Sequence, residues 1–323
     1  MKGAEYAVVI PTVGRPCLRD CLAALASTAG PAPSDVVVVD DRPGAAGEVP
    51  LDGAGSLPVR RVVSGGHGPA AARNAGFRAV SAPWVVFLDD DVRVTADWGE
   101  RLAADLASAE PGVGGVQGRL VVPLPEDRKP TDWERGTAGL QDAAWATADM
   151  AYRRDVLEKA GGFDPRFPRA FREDADLALR VMAAGWRLCR GERVTHHPVR
   201  PTDRWVSVRA QRGNADDVLM TKVHGRDWWA RAQAPRGRLP RHLAVTGAGL
   251  AAVVLALAGQ RRPAAAAAGL WALGTAEFAV ARIAPGPRTA DEVATMVATS
   301  VVIPPFAVRH WLGGLIAHRG TVR

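Results

Sequence analysis

Residues Trp84–Asp91 read WVVFLDDD, five apolar residues running straight into three acids. A short unbroken apolar run is the pattern of a strand buried on both faces, as in a parallel α/β sheet. The acids then fall at its carboxyl end, the edge where open α/β sheets bind ligands. Three adjacent carboxylates there repel one another unless a cation joins them. Hard cations such as Mg2+ and Mn2+ take oxygen ligands and bridge to phosphates. A solvated acidic turn would also read DDD, so the surrounding pattern has to decide.

Upstream, the same pattern repeats. Tyr6–Ile10 is an apolar strand ended by Pro11, followed by the loop PTVGRP and a helix from about Leu18 to Ala26. VVVVDD (Val36–Asp41) is a second strand with acids at its carboxyl end, and Val59–Val63 a shorter third. SGGHGPAAARNAGFRAV then turns into a helix reaching about Val80. Hydrophobic strands joined by helical crossovers predict a largely parallel, doubly wound α/β sheet. Downstream, Asp97–Ser108 reads as an amphipathic helix, Val113–Val122 as strand, Pro123–Gly139 as irregular and Ala144–Tyr152 as strand. Arg153–Ala160 is a short helix stopped by Gly161-Gly162. Glu173–Ala184 is a helix stopped by Gly185, and Trp186–Val194 a strand leading to His196-His197-Pro198.

The formal charge of +7 suggests nucleic acid until it is located. Residues 226–323 hold 12 Arg against 4 acids, which leaves 29 Lys+Arg and 30 Asp+Glu for residues 1–225. The excess therefore sits beside the apolar tail, which points to an anionic membrane surface, and no nucleic-acid partner is expected. Three cysteines, Cys17, Cys21 and Cys189, form no paired framework, as expected in a reducing compartment. MKGAEY leads directly into a strand, without a signal-peptide pattern.

In the tail, Leu243–Gly259 carries no charge, Pro263–Ala281 only Glu277, and Val293–Val308 is interrupted by Pro304-Pro305. Each approaches the ~20 residues of a spanning helix. Two spans and a third interfacial or re-entrant segment are expected, with a buried hairpin of a soluble domain as the alternative. Arg231, Arg236, Arg238 and Arg241 precede the first span and would keep the N-terminal part cytoplasmic. Arg261 and Arg262, between the first two, fit that rule poorly.

Several residues carry candidate chemistry. Gly66, Gly68 and Ala71 fit a G-x-G-x-x-A pattern, but it follows the third strand, and the acids beyond it are a run of three. The glycines still let backbone approach an anion at the following helix start, and Arg73 could reach a phosphate. Asp40 and Asp41 could accept from a ribose or a base, or cap a turn. Glu173, Asp174 and Asp176 suit a helix N-terminus on dipole grounds alone, yet a carboxylate there is also placed as a general base. His196, 22 residues beyond Asp174, could return to the same sheet edge as a metal ligand, with His197 equal by position.

Taken in order, VVIPTVGRP, VVVVDD, GPAAARNAG, FLDDD, MAYRRDVLEKAGGFDPRF and EDADLALR resemble a family 2 glycosyltransferase with a GT-A fold, over about residues 5–215. The resemblance implies a Rossmann-like α/β domain over 1–225, its nucleotide-binding half about 1–92 and its acceptor half about 93–225. The segment 226–323 would be a helical, membrane-associated tail. It implies a metal-dependent, inverting transfer from a nucleotide-diphosphate sugar, most commonly a UDP-sugar, to a hydroxyl acceptor, either a lipid-linked saccharide or a soluble metabolite. Such a role belongs to cell-envelope glycan or glycolipid synthesis at the cytoplasmic face of the membrane. By position, Pro11, Thr12, Arg15, Asp40, Asp41 and Arg73 would bind the nucleotide. Asp89–Asp91 look like the DXD motif: Asp91 the main ligand of Mn2+ or Mg2+, Asp89 and Asp90 nearer ribose and sugar, Asp89 also near the metal. Asp174, beside Glu173, would be the catalytic base and His196 a further metal ligand. Gln211 and Arg212, in QRGN, stand where some members have a Q-x-x-R-W motif that contacts acceptor or diphosphate, but only part of it is present. The acid that often follows the first strand's Pro is replaced by PTVGR. Two rivals are weighed. A nucleotidyltransferase would want a Gly-rich loop after the first strand, which PTVGRP is not. A catalytically inactive membrane-bound binding protein would not need the intact DDD and ED acids.

Overall fold

A computed structural model describes residues 4–45 and 47–321. In chain order the elements are β1 (Tyr6–Thr12), α1 (Cys17–Ser27), β2 (Asp35–Asp40), β3 (Val59–Val63), α2 (Pro69–Arg78), β4 (Trp84–Leu88), β5 (Arg93–Val94), α3 (Trp98–Ala107), β6 (Val113–Val121) and α4 (Asp132–Ala138). They continue with β7 (Asp149–Arg153), α5 (Arg154–Lys159), α6 (Glu173–Ala183), β8 (Arg187–His196), α7 (Val206–Arg209), α8 (Gly213–His224), α9 (Trp228–Arg231), α10 (Leu239–Leu257), α11 (Arg261–Ile283) and α12 (Ala290–Ala317). Two compact units emerge. The first comprises residues 1–123, 138–199 and 231–234; the second comprises 124–137, 200–230 and 235–323. Residues 124–137 and 200–230 thus group with the apolar tail, whereas the reading of the sequence draws the boundary at 225.

The first unit is an α/β sandwich around one sheet of strand order β3-β2-β1-β4-β7-β6-β8-β5. The four strands from β3 to β4 are mutually parallel, as the apolar runs predict. Beyond them β7 runs antiparallel to both β4 and β6, β6 is parallel to β8, and β5 is antiparallel to β8. Side chains along β1 alternate between two buried faces. Tyr6, Val8 and Ile10 pack with α1 and α3 on one face, through Leu18, Leu22, Trp98 and Leu102. Ala7 and Val9 pack with α2, α5 and α6 on the other, through Phe77, Val156 and Leu177. Helices therefore cover both faces, which is why β1, β2 and β4 carry no polar alternation. Gly76 lets α2 settle on β1 and β2: a Cβ there would run into the side chains of Val9 and Val39.

This topology collects chain ends. The carboxyl ends of β1, β2 and β4 share one edge because the strands are parallel. The reversed β7 brings its start to the same edge, with Leu88 opposite Asp149. Strands β6 and β8 end there too, Val121 opposite His196, and the His197 amide donates to Val121 O at 2.8 Å.

In the second unit, α10, α11 and α12 have 19, 23 and 28 residues and are long and apolar enough to cross a membrane. The third differs from expectation. Pro304 and Pro305 do not interrupt it, although neither can donate to the carbonyl one turn back. Met296, Thr299, Ser300, Ile303, Ala307 and Gly314 form one buried face running through the prolines, and this packing holds the helix together. Arg282 of α11 is buried; it donates to Asp132, Ser207, Thr299 and Ser300, joining α4, α7 and α12.

Candidate active site

Asp90 is buried and points back at the first strand. Its Oδ2 accepts from Thr12 Oγ1 at 2.6 Å and its Oδ1 from Arg15 Nη1 at 2.9 Å. Pro11 is half-buried within β1 just before them. Cys21, buried on α1, lies behind the run with Sγ 3.5 Å from Asp89 O. Burial and the three neighbouring carboxylates push its thiol pKa up. It is a small core residue.

Asp89, Asp91 and His197 bring one donor atom each to within 4.8 Å of one another. His197 Nε2 is 3.8 Å from Asp91 Oδ1, and its Nδ1 is buried and makes no hydrogen bond. Two carboxylates and an imidazole suit Mn2+ or Mg2+, and a buried imidazole nitrogen without a partner fits a ligand role. The histidine expectation is corrected here. His196 ends β8 exposed, while His197, one residue on, turns inward.

Arg73 joins the two acidic stretches. It is 2% exposed, donates through Nη2 to Asp89 Oδ1 and through Nη1 to Glu173 Oε1, each at 2.8 Å, and stacks 5.7 Å from the Phe163 ring centroid. It is therefore not a helix-surface cation turned to a phosphate. It is a buried bridge from the end of β4 to the start of α6. Glu173, also buried, faces Arg73 and accepts from it. Burial and the charge of Asp174 raise its pKa. Asp174 is half-buried, and desolvation raises its pKa as well, the direction that suits a general base. The residue before them, Arg172, holds φ at 77°, a left-handed conformation uncommon outside glycine, so the start of α6 is bent into place.

Asp40 and Asp41 are both engaged with the loops around the ends of β2 and β3. Asp40 is fully buried and accepts from Arg42 Nε and Nη2 and from Arg61 Nη2. The same arginines donate to Gly47 O and Ala45 O, which clamps the loop after β2. The Arg42 guanidinium holds the Asp40 pKa down at about 2. Asp41 accepts from Ser64 Oγ and the amides of Gly66, His67 and Gly68, at 2.7–3.0 Å. Three of these bonds fall on Oδ1 and one on Oδ2. Asp41 therefore shapes the glycine loop. Gly68 is needed there: φ is 91°, and a Cβ would fall 2.6 Å from Pro168 O.

Beneath the edge lies a buried polar network that the sequence does not announce. Asp149 accepts from Trp98 Nε1, Thr195 Oγ1 and Arg193 Nε, and Arg193 also donates to Asp105 and to Val116 O. It fixes β7 and β8, and with them His197. Gln211 and Arg212 belong to the second unit, on a short turn before α8.

The family model for glycosyl transferase family 2 matches residues 7–175, about half of the chain. Two proteins from Mycobacterium tuberculosis strains, CDC 1551 and H37Rv, both named pre-mycofactocin glycosyltransferase, are 31% identical over 135 residues. That match takes in 38% of this chain, and the chain spans only 28% of those relatives' length. Among solved structures, a mannosyltransferase from Pyrobaculum calidifontis, in complex with GDP-mannose and Mn2+, superposes with a TM-score of 0.55 at 18% identity. The superposition covers 96% of this chain and 87% of that one and shows a shared fold.

Proposed function

The chain belongs to glycosyl transferase family 2, and from that premise we propose that it moves a sugar from a nucleoside diphosphate sugar to an acceptor hydroxyl with inversion at the anomeric carbon. One observation carries this reading. Arg73 bonds both Asp89 and Glu173, so acids 84 residues apart in the chain meet at one sheet edge. Asp174 takes the proton from the attacking hydroxyl, in a single displacement. Arg73 and Glu173 hold the helix start that presents it. Thr12 and Arg15 steady Asp90, and Asp41, by accepting from the amides of residues 66–68, holds the glycine loop in shape beside the nucleotide. Asp89, Asp91 and His197 would hold Mn2+ or Mg2+, which when bound neutralises charge on the leaving diphosphate.

The three apolar helices support a membrane location for this chemistry. The arginines before α10 set the cytoplasmic side, and the product belongs to a cell-envelope glycan or glycolipid.

The test is diphosphate release by the full chain in detergent, with Mn2+ and a panel of UDP- and GDP-sugars. GDP-mannose is included because the solved mannosyltransferase holds it. Acceptors are lipid-linked saccharides and pre-mycofactocin, after which the mycobacterial relatives are named. Asp174→Asn is expected to lower turnover by about 10²–10⁴-fold, the usual contribution of a general base, with little change in donor KM. A variant as active as the wild type removes Asp174 from that role.

A further inference from the structure

Helices α10 and α11 form an antiparallel hairpin, with Gly249 against Trp271 and Gly274 against Val245. Between them, closed by Pro304 of α12, lies a cleft of about 480 Å³. This is within the range of about 300–1,000 Å³ typical of small-molecule sites. One end of it is charged and the rest of its length is mostly apolar. At the charged end, Arg238 and Arg241 donate to Glu277 at 3.2 Å. One carboxylate between two guanidiniums leaves a net positive charge, and the remaining N–H donors include some suited to phosphate oxygens. Further along the helices, Val245, Ala248 and the exposed Leu273 line an apolar wall.

The dimensions name the occupant. Ten residues of helix separate Arg238 from Ala248, about 15 Å at a rise of about 1.5 Å per residue. That is half of the ~30 Å hydrocarbon core, the depth of a single leaflet. Beyond the hairpin's charged end, Leu250, Val253, Val254 and Leu257 are exposed and apolar, as lipid-facing residues are. The charged end follows the run of arginines that prefers the anionic cytoplasmic leaflet.

We propose that the α10–α11 cleft binds one acidic membrane phospholipid, its phosphate on Arg238 and Arg241 and an acyl chain along Val245, Ala248 and Leu273. Glu277 orients the two guanidiniums. The site does not rest on the glycosyltransferase reading, because it needs only the hairpin and a bilayer.

The experiment is native mass spectrometry of the full chain released from nanodiscs of phosphatidylcholine with phosphatidylglycerol. Wild type is expected to keep one phosphatidylglycerol. Arg238→Gln/Arg241→Gln, which removes the head-group contact, and Ala248→Trp, which fills the cleft, should each lose it at least tenfold. Arg261→Gln/Arg262→Gln, at the other end of the hairpin, should keep it. Circular dichroism of each variant shows that the helices persist. The proposal is overturned if wild type keeps no lipid, if either loss variant keeps it, or if the control variant loses it equally. It is also overturned if a polyprenyl phosphate at equal mole fraction displaces the phospholipid, which would make the cleft an acceptor site.

Discussion

Arg73 has two carboxylate partners and almost no access to water, so its replacement strands buried Glu173 and half-buried Asp89 without their cation. Arg73→Met is expected to destabilise the first unit by about 3–5 kcal/mol, the usual cost of breaking a buried ion pair from one side. Arg73→Lys should fall between the two, since an ammonium lacks the fork that reaches both acids. Thermal unfolding followed by tryptophan fluorescence checks this; an unchanged midpoint for Arg73→Met would deny the bridge. His197→Ala should weaken Mn2+ binding at least about tenfold by calorimetry, while His196→Ala should not, by analogy with the 10–100-fold losses seen around metal sites. The reverse result would restore His196 as the ligand. Sequence alone left the two histidines equal for a physical reason. Along β8 the buried residues are Gly191, Arg193, Thr195 and then His197. The inward face is polar, and burial is made tolerable by Asp149 and Asp105, so no apolar alternation marks which histidine turns in.

At the scale of elements, β1, β2, β4 and their acids were legible because strands buried on both faces write continuous apolar runs. The loop-holding hydrogen bonds of Asp40 and Asp41 were not, since a carboxylate that clamps a loop and one that awaits a ligand look the same in sequence. The Asp40 clamp has a pH signature. Its pKa in the folded chain is about 2, below the ordinary carboxylate value of about 3.9. A depressed folded pKa gives stability that is fully present above the ordinary value and is lost as pH falls through the folded one. Asp40 should therefore contribute to stability above about pH 4 and cease to contribute towards pH 2. Acid unfolding of Asp40→Asn should show lower stability at neutral pH and a shallower loss between those limits. Curves of equal shape would contradict the clamp. The persistence of α12 through Pro304-Pro305 makes the related point about breakers: tertiary packing on one face outweighs two missing donors.

For the whole molecule, the family and the α/β class could be read from ordered motifs, and the apolar helices from composition. The grouping of 124–137 and 200–230 with the tail could not, because it depends on buried contacts such as Arg282 with Asp132 and Ser207 rather than on any local signal. The proposed function has the acceptor attack the sugar directly, with no intermediate on the enzyme. The anomeric configuration of the product, read by proton NMR from a donor of known configuration, addresses this most directly. Inversion is expected with the full-length wild type and Mn2+. A product of retained configuration, or no sugar transferred to any acceptor of the panel, would contradict it.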